Sequence, residues 1–235
     1  VNQAHIERFF ETIITGNRQR SRALLAELLA TGWTPQRLVT ELFWPSYELL
    51  NRLFREDQLT TIAHHTATRL LRVLIDQNAL RLDHAPARNR KVMAFCGPTD
   101  NDEMGAQMAV DLLEAAGFEV TFAGGGVAGD EILAQVNERR PDVLLMFASG
   151  PHDLPQIRVL IDTIRDVDAC PDVQVAVGAG VFSRCEGLAE EMGADVWACT
   201  PMDMVQLLVD QPARRATAEQ RTVGKKIRPK VRAVA

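Results

Sequence analysis

The stretch KVMAFCGPTDNDEMG at 91–105 decides the fold. Its first six residues form an apolar run of strand length, bounded by Gly97-Pro98, and a helical segment centred near Asp111 follows the loop 97–105. The same alternation then recurs to the end of the ordered pattern. Further strands are predicted at 119–123, 143–148, 173–177 and 196–198, with helices centred near Leu133, Leu160, Leu188 and Val205. Five strand–helix units predict an α/β domain built on a five-stranded parallel sheet, flavodoxin-like (Rossmann-like) and doubly wound. Such sheets bind ligands outside the carboxyl ends of their strands, where the strand order reverses. The loops at 97–105, 124–129, 149–155, 178–183 and 199–201 are therefore the places to look for a site.

Upstream the period changes. Ile6, Phe9, Phe10, Ile13 and Ile14 recur at helical spacing, and Gly16-Asn17 then breaks the chain. A second helix carries Leu24, Leu25, Leu28 and Leu29 and ends at Gly32. Thr34-Pro35 supplies an N-cap and an N1 proline for a third, which Pro45 is expected to kink. Thr60 or Thr61 opens a fourth through Leu70, Val73 and Leu74. Residues 1–83 are thus predicted to be a four-helix bundle cap, 84–90 a linker, 91–210 the α/β domain and 211–235 a basic, disordered tail.

Charge divides along the same lines. Eight basic residues against Glu219 give the tail +7, leaving −12 on the rest of a chain whose net charge is −5. The tail reads as a solubilising end or as an electrostatic arm making weak contact with nucleic acid or an acidic partner. No apolar run reaches the roughly 18 residues needed to span a bilayer. The first residues lack the basic and apolar regions of a secretory signal. Cys96, Cys170, Cys185 and Cys199 form no C-x-x-C pair. A cytoplasmic protein with reduced thiols and no membrane contact is the expectation.

The loops exclude two ligand classes. No G-x-x-x-x-G-K-[ST] occurs, and three carboxylates at Asp100, Asp102 and Glu103 would repel a phosphate. No G-x-G-x-x-G follows a strand. Gly178-Ala179-Gly180 after the fourth strand instead leaves room for a bulky ligand against the backbone.

An ordered series of residues resembles the cobalamin-binding domain family. It comprises Asp100-x-Asp102-x-x-Gly105, Leu112-Leu113, Gly117-Phe118-Glu119-Val120, Pro141-Asp142-Val143, Ser149, and Gly178 with Gly180. The helical half resembles the cap preceding that domain in methionine synthase, corrinoid methyltransferase carriers and CarH-type light-sensing repressors. The light-sensor pattern W-x9-E-H corresponds here to Phe54, nine residues, then His64-His65. The resemblance implies that Phe54 covers the upper face of a cobalamin-like ligand. Neighbouring helix positions differ by about 100°, and His65 is expected to be the one facing the ligand, as a candidate cobalt ligand. Ser149, His152, Gly178, Ala179, Gly180 and Thr200 complete the expected cofactor contacts from the sheet loops. Trp33, Trp44 and Tyr47 are read as bundle packing.

Asp102 departs from the family, whose histidine at this position is the lower imidazole ligand of cobalt. A carboxylate is a harder, anionic donor. Three alternatives follow: cobalamin binds with no protein lower ligand and Asp102 holds a water, or His64 or His65 holds it from above, or the pocket takes a biliverdin-type tetrapyrrole or no cofactor. The resemblance together with this loss implies a ligand-binding sensor or regulator, and the resembling branch implies a response to light. It would be without turnover of its own, acting through a protein partner such as a transcription regulator, with homo-oligomerisation open. A corrinoid carrier subunit of a methyltransferase system and a cofactor-free scaffold are the alternatives.

Overall fold

A proline in a helix must be accommodated somewhere, and Pro45 shows how. It offers no N–H, and its ring crowds the carbonyl one turn earlier. In the computed structural model, which describes residues 3–167, 170–178 and 180–217, the third helix changes its winding ahead of the proline. It runs as α3 (Pro35–Leu38), a π-helical turn (Val39–Phe43) and α4 (Trp44–Arg55). The wider turn just before Pro45 absorbs the missing bond. Before it come α1 (Gln3–Ile14) and α2 (Arg18–Ala30), joined by Gly16 at φ +67° and capped by the Asn17 side chain, which accepts from Arg20 N. After it comes α5 (Thr61–Ala79), capped by Thr60, which accepts from Ala63 N. Ile6, Phe9, Ile13, Leu24, Leu28, Leu42, Leu50, Leu70, Leu71 and Leu74 fill the middle of the bundle.

The linker lies flat rather than swinging free. Ala85 N donates to Ala115 O at 2.7 Å and Arg88 N to Gly117 O at 2.8 Å. Gly117, at φ +90°, is required because a Cβ there would collide with the Pro86 carbonyl.

Beyond it, β1 (Lys91–Cys96), β2 (Glu119–Gly125), β3 (Val143–Phe147), β4 (Gln174–Gly178) and β5 (Val196–Ala198) form a parallel sheet in the order β2-β1-β3-β4-β5. Register is set by Val92 opposite Val143, Leu145 opposite Ala176 and Ala176 opposite Val196. Predicted and observed strand ends agree to within two residues. β2 runs longer because an irregularity between Ala94 and Cys96 brings Gly125 opposite Cys96. β1, β3 and β4 are near-continuously buried because helices cover both faces, whereas the edge strand β2 alternates exposed and half-buried residues. α6 (Asp100–Ala115) and α11 (Pro201–Asp210) cover one; α7 (Gly129–Arg139), α8 (Leu154–Val167), α9 (Gly180–Arg184) and α10 (Leu188–Glu191) cover the other. The helix expected near Leu188 is thus two short ones, divided at Gly187, φ +80°.

The bundle packs on the α6 and α11 side. Its interior is continuous with that face of the sheet, one cluster running from Ile6 through Leu50 and Met104 to Leu208.

The first residues of the tail correct the expectation of disorder from 211 onward. Ala216 N donates to Asp195 Oδ1 at 2.6 Å, Gln174 Nε2 to the Gln211 carbonyl at 2.8 Å, and the Arg214 guanidinium lies 4.7 Å from the Trp197 ring centre. Composition could not show this, because buried Gln174 and Asp195 need partners that the returning chain provides. Residues 218–235 lie outside the described residues. Among the described residues no helix is long and apolar enough to cross a membrane.

Candidate functional site

Strand order reverses between β1 and β3, so the loops leaving these two strands diverge and open a crevice at the carboxyl edge of the sheet. The bundle roofs it. Between roof and edge lies a cavity of about 480 Å³. Phe54 comes from α4 and His64, His65, Thr68 and Arg69 from α5; Thr99 and Asp102 come from the start of α6, and Ser149, Gly150 and His152 from the loop after β3. Six residues singled out from sequence thus meet here: Phe54, His64, His65, Asp102, Ser149 and His152.

Two contacts hold roof and floor together. Arg72 on α5 pairs with Glu103 on α6 at 2.8 Å. Tyr47 on α4 is buried against Gly105, where a Cβ would stand 2.8 Å from its hydroxyl. That hydroxyl hydrogen-bonds the side chains of Ser149 and Asn51, and burial, with Asp102 nearby, pushes its pKa well up. Gly105 therefore serves helix-to-helix approach here and does not border the cavity.

His64 is the enclosed imidazole and His65 the exposed one, which differs from the expectation that His65 faces the ligand. His64 is only 7% exposed. Its ring stacks on Phe54 with centres 3.9 Å apart and planes 16° from parallel. Among the described residues, neither ring nitrogen of His64 has a hydrogen-bond partner. Burial first, and then His65, holds its pKa below the ordinary imidazole value, which favours the neutral ring. His65 sits at the rim, its ring centre 5.9 Å from that of His64. The helical phase decides this: the apolar face of α5, through Ala67, Leu70, Leu71 and Leu74, carries His64 inward.

Asp102 has a structural partner. It is 3% exposed, and its Oδ2 accepts from Thr99 N at 3.1 Å and from Thr99 Oγ1 at 2.6 Å. Thr99 Oγ1 accepts in turn from Asp102 N at 3.2 Å, closing a reciprocal cap on α6. The carboxylate lies against Gly97, where a Cβ would stand 2.6 Å from Oδ2.

The other expected contacts divide. His152 is at the mouth, its Nε2 3.3 Å from Asp153 Oδ1. Burial raises the Asp153 pKa, and His152 opposes that. Gly178 is outside the cavity, with Phe147 and Met204 occupying the space a side chain would take. Gly180 opens α9 beside Arg184 and borders a separate space of about 90 Å³ with Tyr47 and Ser149. Thr200 is spent on capping α11, accepting from Asp203 N at 3.1 Å. The Asp100 side chain and Ala179 lie outside the described residues. Sequence reasoning missed Asn51, Arg55, Thr68 and Arg69. Helical spacing of three or four residues from Phe54 and the His64-His65 pair was the signal that would have found Asn51, Thr68 and Arg69; Arg55 lies next to Phe54 and four residues beyond Asn51.

Residues 90–205 match the B12 binding domain family. No curated protein sequence matches the chain. Among solved structures, a monomethylamine corrinoid protein of Methanosarcina barkeri is similar with a TM-score of 0.69 at 16% identity, covering 89% of this chain and 99% of that one. A cobalamin-binding protein of Desulfitobacterium hafniense gives 0.48 at 17% identity, over 87% of this chain and 97% of its own. The methanol:cobalamin methyltransferase complex MtaBC of Methanosarcina barkeri gives 0.49 at 17%, over 96% and 87%. The first likeness extends through the bundle and the sheet, so the fold is that of a flavodoxin-like B12-binding domain with a helical cap.

Proposed function

We propose that this chain binds a corrinoid in the cavity between bundle and sheet, and that it works as a ligand-dependent regulator acting through a protein partner rather than by turnover. The observation that carries the reading is the pairing of an enclosed Phe54–His64 stack above with an Asp102 committed to its own helix cap below. The stack offers an apolar wall and unpartnered nitrogens to a flat macrocycle. The residues therefore fit a corrinoid approached from the bundle side. They do not fit one held from the sheet by a protein imidazole, since Asp102 stands where that imidazole belongs. The bound macrocycle would supply the metal centre and the absorption on which a response to ligand or light depends.

A corrinoid carrier serving a methyltransferase is the second reading, favoured by the layout shared with the monomethylamine corrinoid protein. Against it stands the loss of the lower imidazole, whose ligation tunes the metal through its oxidation states.

Absorption spectra and size-exclusion profiles of the purified chain with aquocobalamin, base-free cobinamide or biliverdin, in darkness and after illumination, test the proposal. A shifted corrinoid spectrum with a ligand- or light-dependent change in size is expected. A methylated corrinoid that a thiol methyltransferase demethylates on this chain would favour the carrier. Unchanged spectra with both corrinoids would overturn the reading.

A further inference from the structure

We infer that His64 is the protein's axial donor to the ligand's metal, delivered from the helical roof rather than from the sheet. The inference rests on the corrinoid reading above.

A neutral imidazole carries one N–H donor and one acceptor nitrogen. Leaving both unmatched in an enclosed position forfeits their hydration with nothing in return, so such a ring marks a missing partner. His64 is such a ring: enclosed, in the cavity wall, with Nδ1 and Nε2 both unmatched. The stack on Phe54 fixes its plane, and the Thr68 hydroxyl donates to the His64 carbonyl at 2.8 Å rather than to the ring. Nothing nearby competes for the acceptor nitrogen.

The other nitrogen donors around the cavity are less suited. His65 is exposed at the rim, and His152 has a side chain 65% exposed and already beside Asp153. Arg55 and Arg69 are cations without a lone pair to give. Asp102 has its Oδ2 in the cap. A first-row transition metal in a tetrapyrrole prefers imidazole to a carboxylate of this kind. The roof therefore supplies the nitrogen that the floor lacks.

The test uses cobinamide, a corrinoid with no nitrogen base of its own. Its reduced, paramagnetic cobalt form is bound to the full chain and recorded by electron paramagnetic resonance. Each cobalt line is expected to split into a nitrogen triplet, and histidine labelled with the heavier nitrogen isotope should turn the triplet into a doublet. His64→Phe keeps the volume and the stack on Phe54 but removes both nitrogens. It should abolish the splitting and weaken cobinamide binding about tenfold, or about 1.4 kcal/mol, while His65→Phe retains the triplet. Cobinamide bound with no nitrogen splitting, or splitting that survives His64→Phe, would overturn the inference while leaving corrinoid binding intact. Failure of cobinamide and aquocobalamin to bind the wild-type chain at all would overturn the corrinoid reading itself. Matching circular dichroism of the variants and the parent excludes misfolding as the cause.

Discussion

Removing the Asp102 carboxylate should cost stability and leave a bound corrinoid's spectrum unchanged. In Asp102→Ala, Thr99 N and Thr99 Oγ1 lose the oxygen they both donate to, at 3.1 and 2.6 Å. The Thr99 hydroxyl can rotate to another acceptor, while its half-buried N–H has no substitute on α6. Loss of a helix cap typically costs about 0.5–2 kcal/mol, and a hydrogen bond to a charged group is worth about 1.5–3 kcal/mol. These overlap, since the cap is made of those bonds, and the expected loss is about 2 kcal/mol. Asp102→Asn keeps one oxygen in place and should lose about half as much, about 1 kcal/mol. The assay is urea unfolding at pH 7, followed by circular dichroism, with the midpoint shift converted at constant slope. The cobinamide spectrum of each variant is recorded beside it. If Asp102→Ala unfolds within about 0.5 kcal/mol of the parent, the cap is not what Asp102 is for. If instead the cobalt spectrum changes in Asp102→Asn, the carboxylate belongs to the metal's surroundings.

Asp111, on the face of α6 turned towards the bundle, has its carboxyl pushed up to about 6 by burial, opposed by the Gln107 amide and reinforced by Glu114 and Asp76. A carboxyl whose pKa is higher folded than unfolded makes the folded state lose stability as pH rises from about 4 to about 6, and the rise of about two pH units corresponds to about 2–3 kcal/mol. Asp111→Asn keeps an acceptor for Gln107 and should be about 2 kcal/mol more stable at pH 7, with the gain vanishing near pH 4; thermal melts across that range check it. Arg165 donates to Asp195, which is 1% exposed on its side chain and also accepts from Val175 N and Ala216 N. Arg165→Met should therefore cost about 3–5 kcal/mol in urea unfolding, since it leaves a buried carboxylate without its counter-charge. Cys185 is exposed, whereas burial and the carboxylates of Glu103, Asp102 and Asp153 push the Cys96 thiol up to about 12. Cys199 is exposed as well, with burial, Asp203 and Glu48 raising its thiol pKa, so at pH 8 the fastest phase with a disulfide reagent should be lost in Cys185→Ser, a slower one in Cys199→Ser, and neither in Cys96→Ser.

The sheet was legible because its signals are local and repeated. Each strand is a short apolar run closed by glycine, proline or serine, and five of them in alternation with helices leave few topologies. The bundle was legible in its helices, and Thr34-Pro35 and Thr60 behave as sequence rules say. The π-turn at 39–43 was not, because it shows only where the chain compensates for Pro45 within its packed surroundings. The site was legible by residue type and less so by role. Phe54, the histidine pair, Asp102 and Ser149 converge as expected. Which histidine is enclosed depends on the phase of α5 against the whole core, a sum over four turns that one motif cannot give. Gly105, expected among the cofactor contacts, instead lies against Tyr47, which was expected to be bundle packing. Asp102 was read as a ligand position, when its neighbour Thr99 makes it half of a cap.

These misreadings share a cause, and it bears on function. The linker at 84–90 divides the sequence but not the interior: the bundle's core runs unbroken into the α6 and α11 face of the sheet, and Tyr47 from the roof bonds Ser149 on the floor. The cavity is therefore bounded by walls that are fixed to each other through Arg72–Glu103 on one side and Tyr47–Ser149 on the other. A ligand that inserts between them cannot displace the roof without disturbing contacts that also hold α6, and α6 begins at the Thr99–Asp102 cap in the cavity's own floor. On the proposed reading, binding energy spent at His64 and Phe54 would bear on the start of α6 through these contacts, as a site that reports its occupancy elsewhere requires.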